Sequence, residues 1–114
     1  MTKIKQVARK DPHYCLRGYE FARWVGRYEN DSVGLTNDPM KNPIARYLKA
    51  RTGDQYFVSP THTTRVDNDT QEVVHYPNPV WAIEFMNSLQ KSEFKTVSGN
   101  KARKVFAYST SYYG

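Results

Sequence analysis

The sequence predicts a single α+β domain from three observations. A chain of 114 residues that is 39% hydrophobic and 14% aromatic can bury one modest core. Apolar residues recur with a helical period in three segments. Between the second and the third of these segments, β-branched runs flank an Asp- and Asn-rich turn. We therefore expect two N-terminal helices, a small antiparallel three-stranded sheet and a third amphipathic helix, with an extra C-terminal strand as one alternative for the end of the chain.

The first predicted helix runs from Gly18 to about Asn30. Its apolar residues follow the spacing i, i+3, i+4, i+7, which is one stripe of a helix with 3.6 residues per turn. Gly26 weakens this helix by about 1 kcal/mol relative to alanine, so a neighbouring element is expected to approach closely there. The stripe consists of Phe21, Trp24, Val25 and Tyr28.

Residues 31–42 read as a connecting loop, and a second helix is predicted from Pro43 to about Thr52. The side chain of Asn42 can cap this helix, and proline suits the first helical position because no backbone donor is needed there. Gly53 follows as a natural C-terminal cap.

Three strands are predicted at 56–59, 61–66 and 72–76, with the turn between the last two formed by Asp67–Thr70. Asn78-Pro79 then repeats the Asn-Pro pattern and predicts a second capped helix start. The inner stripe of this third helix contains Trp81, Ala82, Phe85, Met86 and Leu89.

The end of the chain leaves alternatives open. Residues 94–97 can add a strand that Ser98-Gly99-Asn100 would end. Phe106, Tyr108 and Tyr112 lie two or four positions apart, which places them on one face of an extended strand. A Tyr- and Ser-rich tail fits the same residues.

Charge divides the chain into three parts. Residues 1–17, a basic N-terminal arm, carry +4; residues 18–89 carry −2; residues 90–114 carry +4, within a total of +6. The predicted organisation is thus the arm 1–17, a compact α+β domain 18–92, and a basic, Tyr-rich C-terminal segment 93–114. Basic ends attract polyanions. The alternative, that terminal lysines simply keep a small protein soluble, fits the same charges.

Several classes of protein and site are disfavoured. The mean hydropathy of −0.79 and the absence of a long apolar run argue against an integral membrane protein. The single cysteine, Cys15, and the lack of a secretory signal predict an intracellular, cytoplasmic location.

His62 and His75 flank the hairpin, but their spacing matches no metal-ligand signature. No phosphate-binding, nucleophile-elbow or zinc-protease motif is present. We therefore predict a protein that is not an enzyme and that uses no cofactor or metal.

The cations at both ends, together with the tyrosines near the C-terminal basic cluster, favour a binding protein for nucleic acid or a nucleoprotein, since single-strand binders join cations to stacking rings. The alternative is a phage- or mobile-element protein that binds and modulates a host protein, such as a defence nuclease. Membrane partners are not expected. The candidate nucleic-acid-binding residues are Lys3, Lys5, Arg9, Lys10, Arg17, Lys95, Lys101, Arg103, Lys104, Tyr108 and Tyr112.

Three motifs follow one another between residues 21 and 86: an aromatic helix ending before a D-x-V-G turn, a P-I-A-R-Y-L helix, and a P-x-W-A-x-x-F helix. Their order resembles a pattern found in small uncharacterised bacterial and phage proteins. The resemblance implies a compact α+β fold and a phage or mobile-element origin, and it carries no function. Asn42 stands where cysteine is frequent in that pattern, so no thiol role is implied at this position. The residues that carry the resemblance are Phe21, Trp24, Asp31, Val33, Gly34, 43–48, Pro79, Trp81, Ala82 and Phe85.

Overall fold

A computed structural model describes residues 16–67, 69–92 and 95–110. It confirms the α+β class, the three-stranded antiparallel sheet and an additional strand near the C-terminus. The elements in chain order are α1 (Gly18–Gly26), β1 (Ser32–Leu35), α2 (Pro43–Thr52), β2 (Gln55–Val58), β3 (His62–Val66), β4 (Val73–Pro77), α3 (Val80–Lys91), β5 (Thr96–Ser98) and α4 (Gly99–Thr110).

The three-stranded sheet has the order β2-β3-β4, as the hairpin pattern predicts. Its register places Phe57 opposite Thr64, and Thr64 opposite His75. Tyr56 and Val58 are buried, whereas Phe57 between them is 37% exposed. Since successive residues of a strand point to opposite faces, one face of the sheet packs on the core and the other faces solvent.

A second, two-stranded sheet corrects the prediction that 31–42 is a loop throughout. Its strands β1 and β5 pair antiparallel, with Gly34 opposite Val97 and Leu35 opposite Thr96. The backbone N–H of Thr36 donates to the carbonyl of Lys95 at 3.0 Å, next to the pairing. A four-residue strand containing glycine has little local signal, and its hydrogen-bond partner lies some sixty residues away.

Ser98-Gly99-Asn100 ends the additional strand, as predicted, because β5 stops at Ser98. The last described segment, α4, overturns the alternative in which Phe106 and Tyr108 share one face of a further strand. Residues 102, 105, 106 and 109 follow the helical spacing i, i+3, i+4, i+7 and form its inner side. Ala102 is fully buried, and Val105 and Phe106 pack against the core. Packing against other helices therefore outweighs the strand preference of the aromatic residues. Tyr112 lies outside the described residues.

Aromatic rings fix how the helices meet. The buried ring of Phe21 on α1 lies 5.5 Å from that of Tyr47 on α2, 5.0 Å from Phe85 on α3 and 6.2 Å from Phe106 on α4, measured between centroids. The indole N–H of Trp81 donates to the carbonyl of Leu16 at 3.2 Å and ties the start of α3 to the residue near the start of α1. Aromatic pairs at such separations stabilise beyond the apolar area that they bury.

The two Asn-Pro sequences have different roles. Asn42 caps α2 as predicted, because its Oδ1 accepts from the backbone N–H of Ala45 at 2.9 Å. The corresponding prediction for Asn78 is wrong: α3 has Pro79 at its N-cap position and no side-chain cap. The Asn78 amide instead donates to the carbonyl of Ser59 at 2.8 Å, and its oxygen accepts from the Thr63 hydroxyl at 2.6 Å. It fastens the turn between β2 and β3.

The first helix is also shorter than predicted, since α1 ends at Gly26 and residues 27–30 form turns. The backbone N–H groups of Arg27 and Tyr28 turn back to the carbonyls of Trp24 and Val25, at 3.2 and 3.1 Å. Within the described ranges, no helix combines the length and the apolar character needed to cross a membrane.

Candidate functional site

The outer side of α1 carries a ridge of one tyrosine and two arginines. Tyr19, Arg23 and Arg27 are spaced four residues apart, so they lie on one side of the helix, opposite the buried Phe21 and Val25. Tyr19 is 71% exposed. The guanidinium carbon of Arg23 lies 5.5 Å from the centre of the Tyr19 ring, which leaves the cation near the ring and open to solvent.

The outer side of α4 carries three exposed cations and no acidic residue. Lys101, Arg103 and Lys104 belong to this surface, and Tyr108 on the same helix is 65% exposed. The buried Ala102 and Ser109 define the opposite side of the helix. The cluster predicted near the C-terminus is therefore presented by a helix that packs on the body of the domain.

A groove of about 560 Å³ lies between α1 and α4. Small residues of α1 permit this arrangement. Ala22 lines the groove. Within the described part of the chain, a Cβ atom at Gly26 would meet only Arg103 Cδ, at 3.4 Å, and Arg103 Nε, at 3.8 Å. Arg103 thus lies over the C-terminal end of α1, on the side next to the ridge. The groove is lined by Ala22, Asn100, Arg103, Lys104, Phe106 and Ala107.

Two further grooves extend the cationic surface on either side. Between α1 and α2, a groove of about 260 Å³ is lined by residues that include Arg23, Arg27 and Arg51. Between α3 and α4, a groove of about 410 Å³ is lined by residues that include Lys91 and Lys104. We call the combined surface the basic helical face. It comprises Tyr19, Arg23, Arg27, Lys91, Lys101, Arg103, Lys104 and Tyr108.

Acidic groups lie mostly elsewhere in the described part of the chain. Glu20 is the one acidic residue among the described residues that line the three grooves, and its Oε1 accepts from Arg51 Nη1 at 2.9 Å. The backbone of two other acidic residues borders the start of α4, where the main-chain carbonyls of Glu29 and Asp31 accept from the N–H groups of residues 100 and 99. Glu84 is half-buried on α3, one turn before Ser88. The remaining described acidic residues lie in the turns on either side of α2 and in the turn between β3 and β4.

The structure brings together only part of the predicted binding set. Lys101, Arg103, Lys104 and Tyr108 share the outer surface of α4. Arg17 is exposed at the N-cap position of α1, the opposite end of that helix from Arg27. Lys95 is exposed just before β5. The three extended residues of β5 separate it from the start of α4 by about 10 Å. Lys3, Lys5, Arg9, Lys10 and Tyr112 lie outside the described residues.

Sequence reasoning missed Arg23, Arg27 and Lys91 as members of this surface. Their exposure could be predicted, because Arg23 and Arg27 lie off the apolar stripe of α1. Their proximity to the C-terminal cations could not, because it depends on the packing of α4 against α1 and α3.

The two histidines of the sheet are engaged with threonines. His75 Nδ1 lies 2.8 Å from Thr64 Oγ1, and His62 Nδ1 lies 3.0 Å from Thr61 Oγ1. In the described parts of the chain, no group of three or more His, Cys, Asp or Glu residues is arranged to hold a metal ion.

Comparison with protein-family models, with curated proteins and with solved structures finds no match to this chain. The geometry of the chain itself is therefore the basis for assigning its function.

Proposed function

We propose that this protein binds nucleic acid through the basic helical face and acts without catalysis. The observation that carries the proposal is the convergence of cations from α1, α3 and α4 around adjoining grooves. Among the described lining residues of these grooves, the one acidic residue is held by Arg51. Scattered surface lysines would not share grooves in this way. A phosphate backbone lying across the face would contact cations of α1, α4 and α3 in turn.

The exposed tyrosines favour single strands over duplexes. Tyr19 and Tyr108 present 71% and 65% of their surface to solvent at two different edges of the face. Unpaired bases can stack on such rings, whereas the bases of a duplex are already stacked on one another. We expect single-stranded DNA or RNA to bind more tightly than a duplex of the same length.

The number of cations predicts the salt dependence. Six basic residues belong to the face: Arg23, Arg27, Lys91, Lys101, Arg103 and Lys104. If each neutralises one phosphate, the logarithm of the binding constant falls against the logarithm of salt concentration with a slope of about −4 for a single strand.

Fluorescence anisotropy with 5′-hydroxyl single strands and duplexes, at about 50 and 200 mM salt, tests the proposal. The triple variant Arg23→Gln/Arg103→Gln/Lys104→Gln should lose at least about tenfold in affinity, since each lost contact weakens the salt-dependent binding. Arg17→Gln/Arg65→Gln/Lys95→Gln is the matched control, because it removes the same charge from outside the face. Equal losses in the two variants would show attraction by net charge alone and would contradict the proposal, as would the absence of binding at low salt.

A second candidate function, binding to another protein, is favoured by the uncovered face and edge of the three-stranded sheet. Phe57 and Val73 on its outer face are 37% and 54% exposed, and β4 is an edge strand without a charged residue. Exposed apolar edges of this kind pair with other chains. A stoichiometric host-protein partner that survives nuclease treatment and is lost in Val73→Lys would favour this function, for example modulation of a host nuclease.

A further inference from the structure

A separate groove of about 330 Å³ lies between β1 and α2, away from the basic helical face. Three cations line it: Lys41 from the turn before α2, and Arg46 and Lys49 from α2 itself. Ser32 and Gln55 add polar groups to the lining. No acidic residue is among its described lining residues.

The groove lies on the far side of α2 from the face. At 3.6 residues per turn, Arg51 is rotated roughly 140° from Arg46 and roughly 160° from Lys49. Arg51 belongs to the groove shared with α1, whereas Arg46 and Lys49 point to β1. The two cationic surfaces are therefore separate sites.

The framework of the groove is fixed by backbone contacts. The N–H of Leu35 donates to the carbonyl of Lys41 at 2.8 Å, and the N–H of Lys41 donates to the carbonyl of Asp38 at 3.1 Å. Gly34 packs directly on the same turn, since a Cβ atom there would lie 2.5 Å from the Lys41 carbonyl oxygen. The main-chain atoms that carry the three cationic side chains are thus held in a fixed arrangement.

The helix dipole favours Lys49, which lies in the last turn of α2, but folding gives no reason for placing Arg46 and Lys41 beside it. Arg46 and Lys49 are like charges at i and i+3, a spacing that costs stability in a helix. Arg46 also lies near the first turn of α2, where the helix dipole disfavours a cation and where no acidic residue is present. Asp38 is occupied with its own turn, because its Oδ1 accepts from the N–H groups of Met40 at 2.9 Å and Lys41 at 3.2 Å. A bound anion would relieve the repulsion.

We propose that this groove binds the phosphomonoester of a nucleotide, either as a free mononucleotide or as the 5′-phosphorylated end of a strand. Its volume lies at the lower end of the range for small-molecule sites, which suits one nucleotide. Lys41, Arg46 and Lys49 would hold the phosphate, since a terminal phosphate carries more charge than a diester. Leu35 and Met40, also in the lining, offer apolar surface to the base. The proposal is independent of the basic helical face.

Calorimetry with adenosine 5′-monophosphate, adenosine and inorganic phosphate tests the groove directly. The monophosphate should bind at least about tenfold more tightly than adenosine, because the phosphate, paired with several cations, contributes most of the binding free energy. Arg46→Gln/Lys49→Gln should weaken this binding at least about tenfold. Arg17→Gln/Lys95→Gln, which removes equal charge from outside both the groove and the basic helical face, should leave it within about twofold. Circular dichroism of both variants checks that the helices are retained.

Short oligonucleotides with a 5′-phosphate or a 5′-hydroxyl distinguish the two sources of the phosphate. If a 5′-phosphate raises the affinity of the wild type for the oligonucleotide but not that of Arg46→Gln/Lys49→Gln, strand ends are a ligand of the groove. If the monophosphate binds and the 5′-phosphate gives no such increase in affinity, the free nucleotide is the ligand. The proposal is overturned if neither probe binds better than its phosphate-free counterpart, or if the groove variant binds both as the wild type does. Loss of 5′-hydroxyl strand binding in the face variants tests only the proposed function.

Discussion

The side-chain amide of Asn42 donates a hydrogen bond of 2.9 Å to the carbonyl of Val58, sixteen residues further along the chain. The same side chain accepts from the N–H of Ala45 at 2.9 Å, and only 1% of Asn42 is exposed. Close by, the N–H of Val58 donates to the carbonyl of Pro39 at 2.8 Å. One buried amide therefore both starts α2 and attaches it to the end of β2.

Replacing Asn42 by alanine should lower the free energy of unfolding by about 2 to 4 kcal/mol, because a helix cap is lost and the buried Val58 carbonyl loses a partner. Urea unfolding measures the change. Asn30→Ala, at an exposed position whose side chain accepts one long hydrogen bond of 3.4 Å, should change stability by less than about 0.5 kcal/mol. A similar change in both variants would contradict the dual role of Asn42.

The contrast with Asn78 marks a limit of local sequence reasoning. Asn42-Pro43 and Asn78-Pro79 are equivalent as patterns, and the start of α2 at Pro43 follows from the first of them. Asn78 uses its side chain on the turn after β2, because Ser59, Pro60 and Thr63 lie within its reach in the folded chain. Which partner an asparagine side chain selects depends on tertiary neighbours that a local pattern does not contain.

Gly34→Ala should cost at least about 3 kcal/mol, or prevent folding, because the added Cβ would lie 2.5 Å from the Lys41 carbonyl oxygen and 2.7 Å from the Pro43 nitrogen. Both are backbone atoms of the corner between β1 and α2, so relief requires the corner to move. Thermal and urea unfolding measure the loss.

Gly53→Ala is the matched comparison. Gly53 has a φ of +84°, and among the described residues no atom outside its chain neighbours lies within 4 Å of where an alanine Cβ would be. Alanine there therefore has only the strain of the left-handed conformation, about 1 to 2 kcal/mol. If Gly34→Ala costs no more than Gly53→Ala, the close backbone approach at Gly34 is not a constraint on the fold.

Non-local pairing explains most of what the sequence failed to predict. The bounds of α2 and the pairing of β2, β3 and β4 follow from periodicity, capping and turn chemistry within short windows. β1 depends on β5, and α4 depends on α1 and α3. For the candidate site, Lys101, Arg103, Lys104 and Tyr108 are visible as a basic and aromatic cluster in the sequence. The neighbouring Arg23 and Arg27 become part of one surface only when α4 is a helix packed on α1.

Two glycines at the junction of α1 and α4 should respond oppositely to alanine. At Gly26 the new Cβ would meet the flexible Arg103 side chain at 3.4 Å, so Gly26→Ala should gain up to about 0.5 kcal/mol from helix propensity. At Gly99 the Cβ would lie 2.3 Å from the Val25 carbonyl oxygen, so Gly99→Ala should destabilise by at least about 2 kcal/mol. If the urea midpoints of both variants shift in the same direction relative to the wild type, this packing is contradicted.

Removing two cations from α4 should change the salt dependence of nucleic-acid binding more than removing two elsewhere. Arg103→Gln/Lys104→Gln should make the slope against salt less steep by about 1.4 on a single strand, since each lost phosphate contact contributes about 0.7. Arg17→Gln/Lys95→Gln removes the same charge from positions outside the basic helical face, and its slope should stay close to that of the wild type. Anisotropy titrations over a range of salt concentrations measure both slopes, and equal slopes would show that the basic ends act without a defined face.

Tyr108 should contribute to single-strand binding through its ring rather than its hydroxyl. The side chain is 65% exposed on α4 beside the groove that contains Lys91 and Lys104, so a base can reach it next to a phosphate contact. Tyr108→Ala should weaken single-strand binding by about 1 to 3 kcal/mol and leave duplex binding nearly unchanged, while Tyr108→Phe should retain most of the affinity. Anisotropy with both probes measures the difference. If Tyr108→Ala weakens duplex and single-strand binding equally, or if Tyr108→Phe loses as much as Tyr108→Ala, the ring is not a stacking platform.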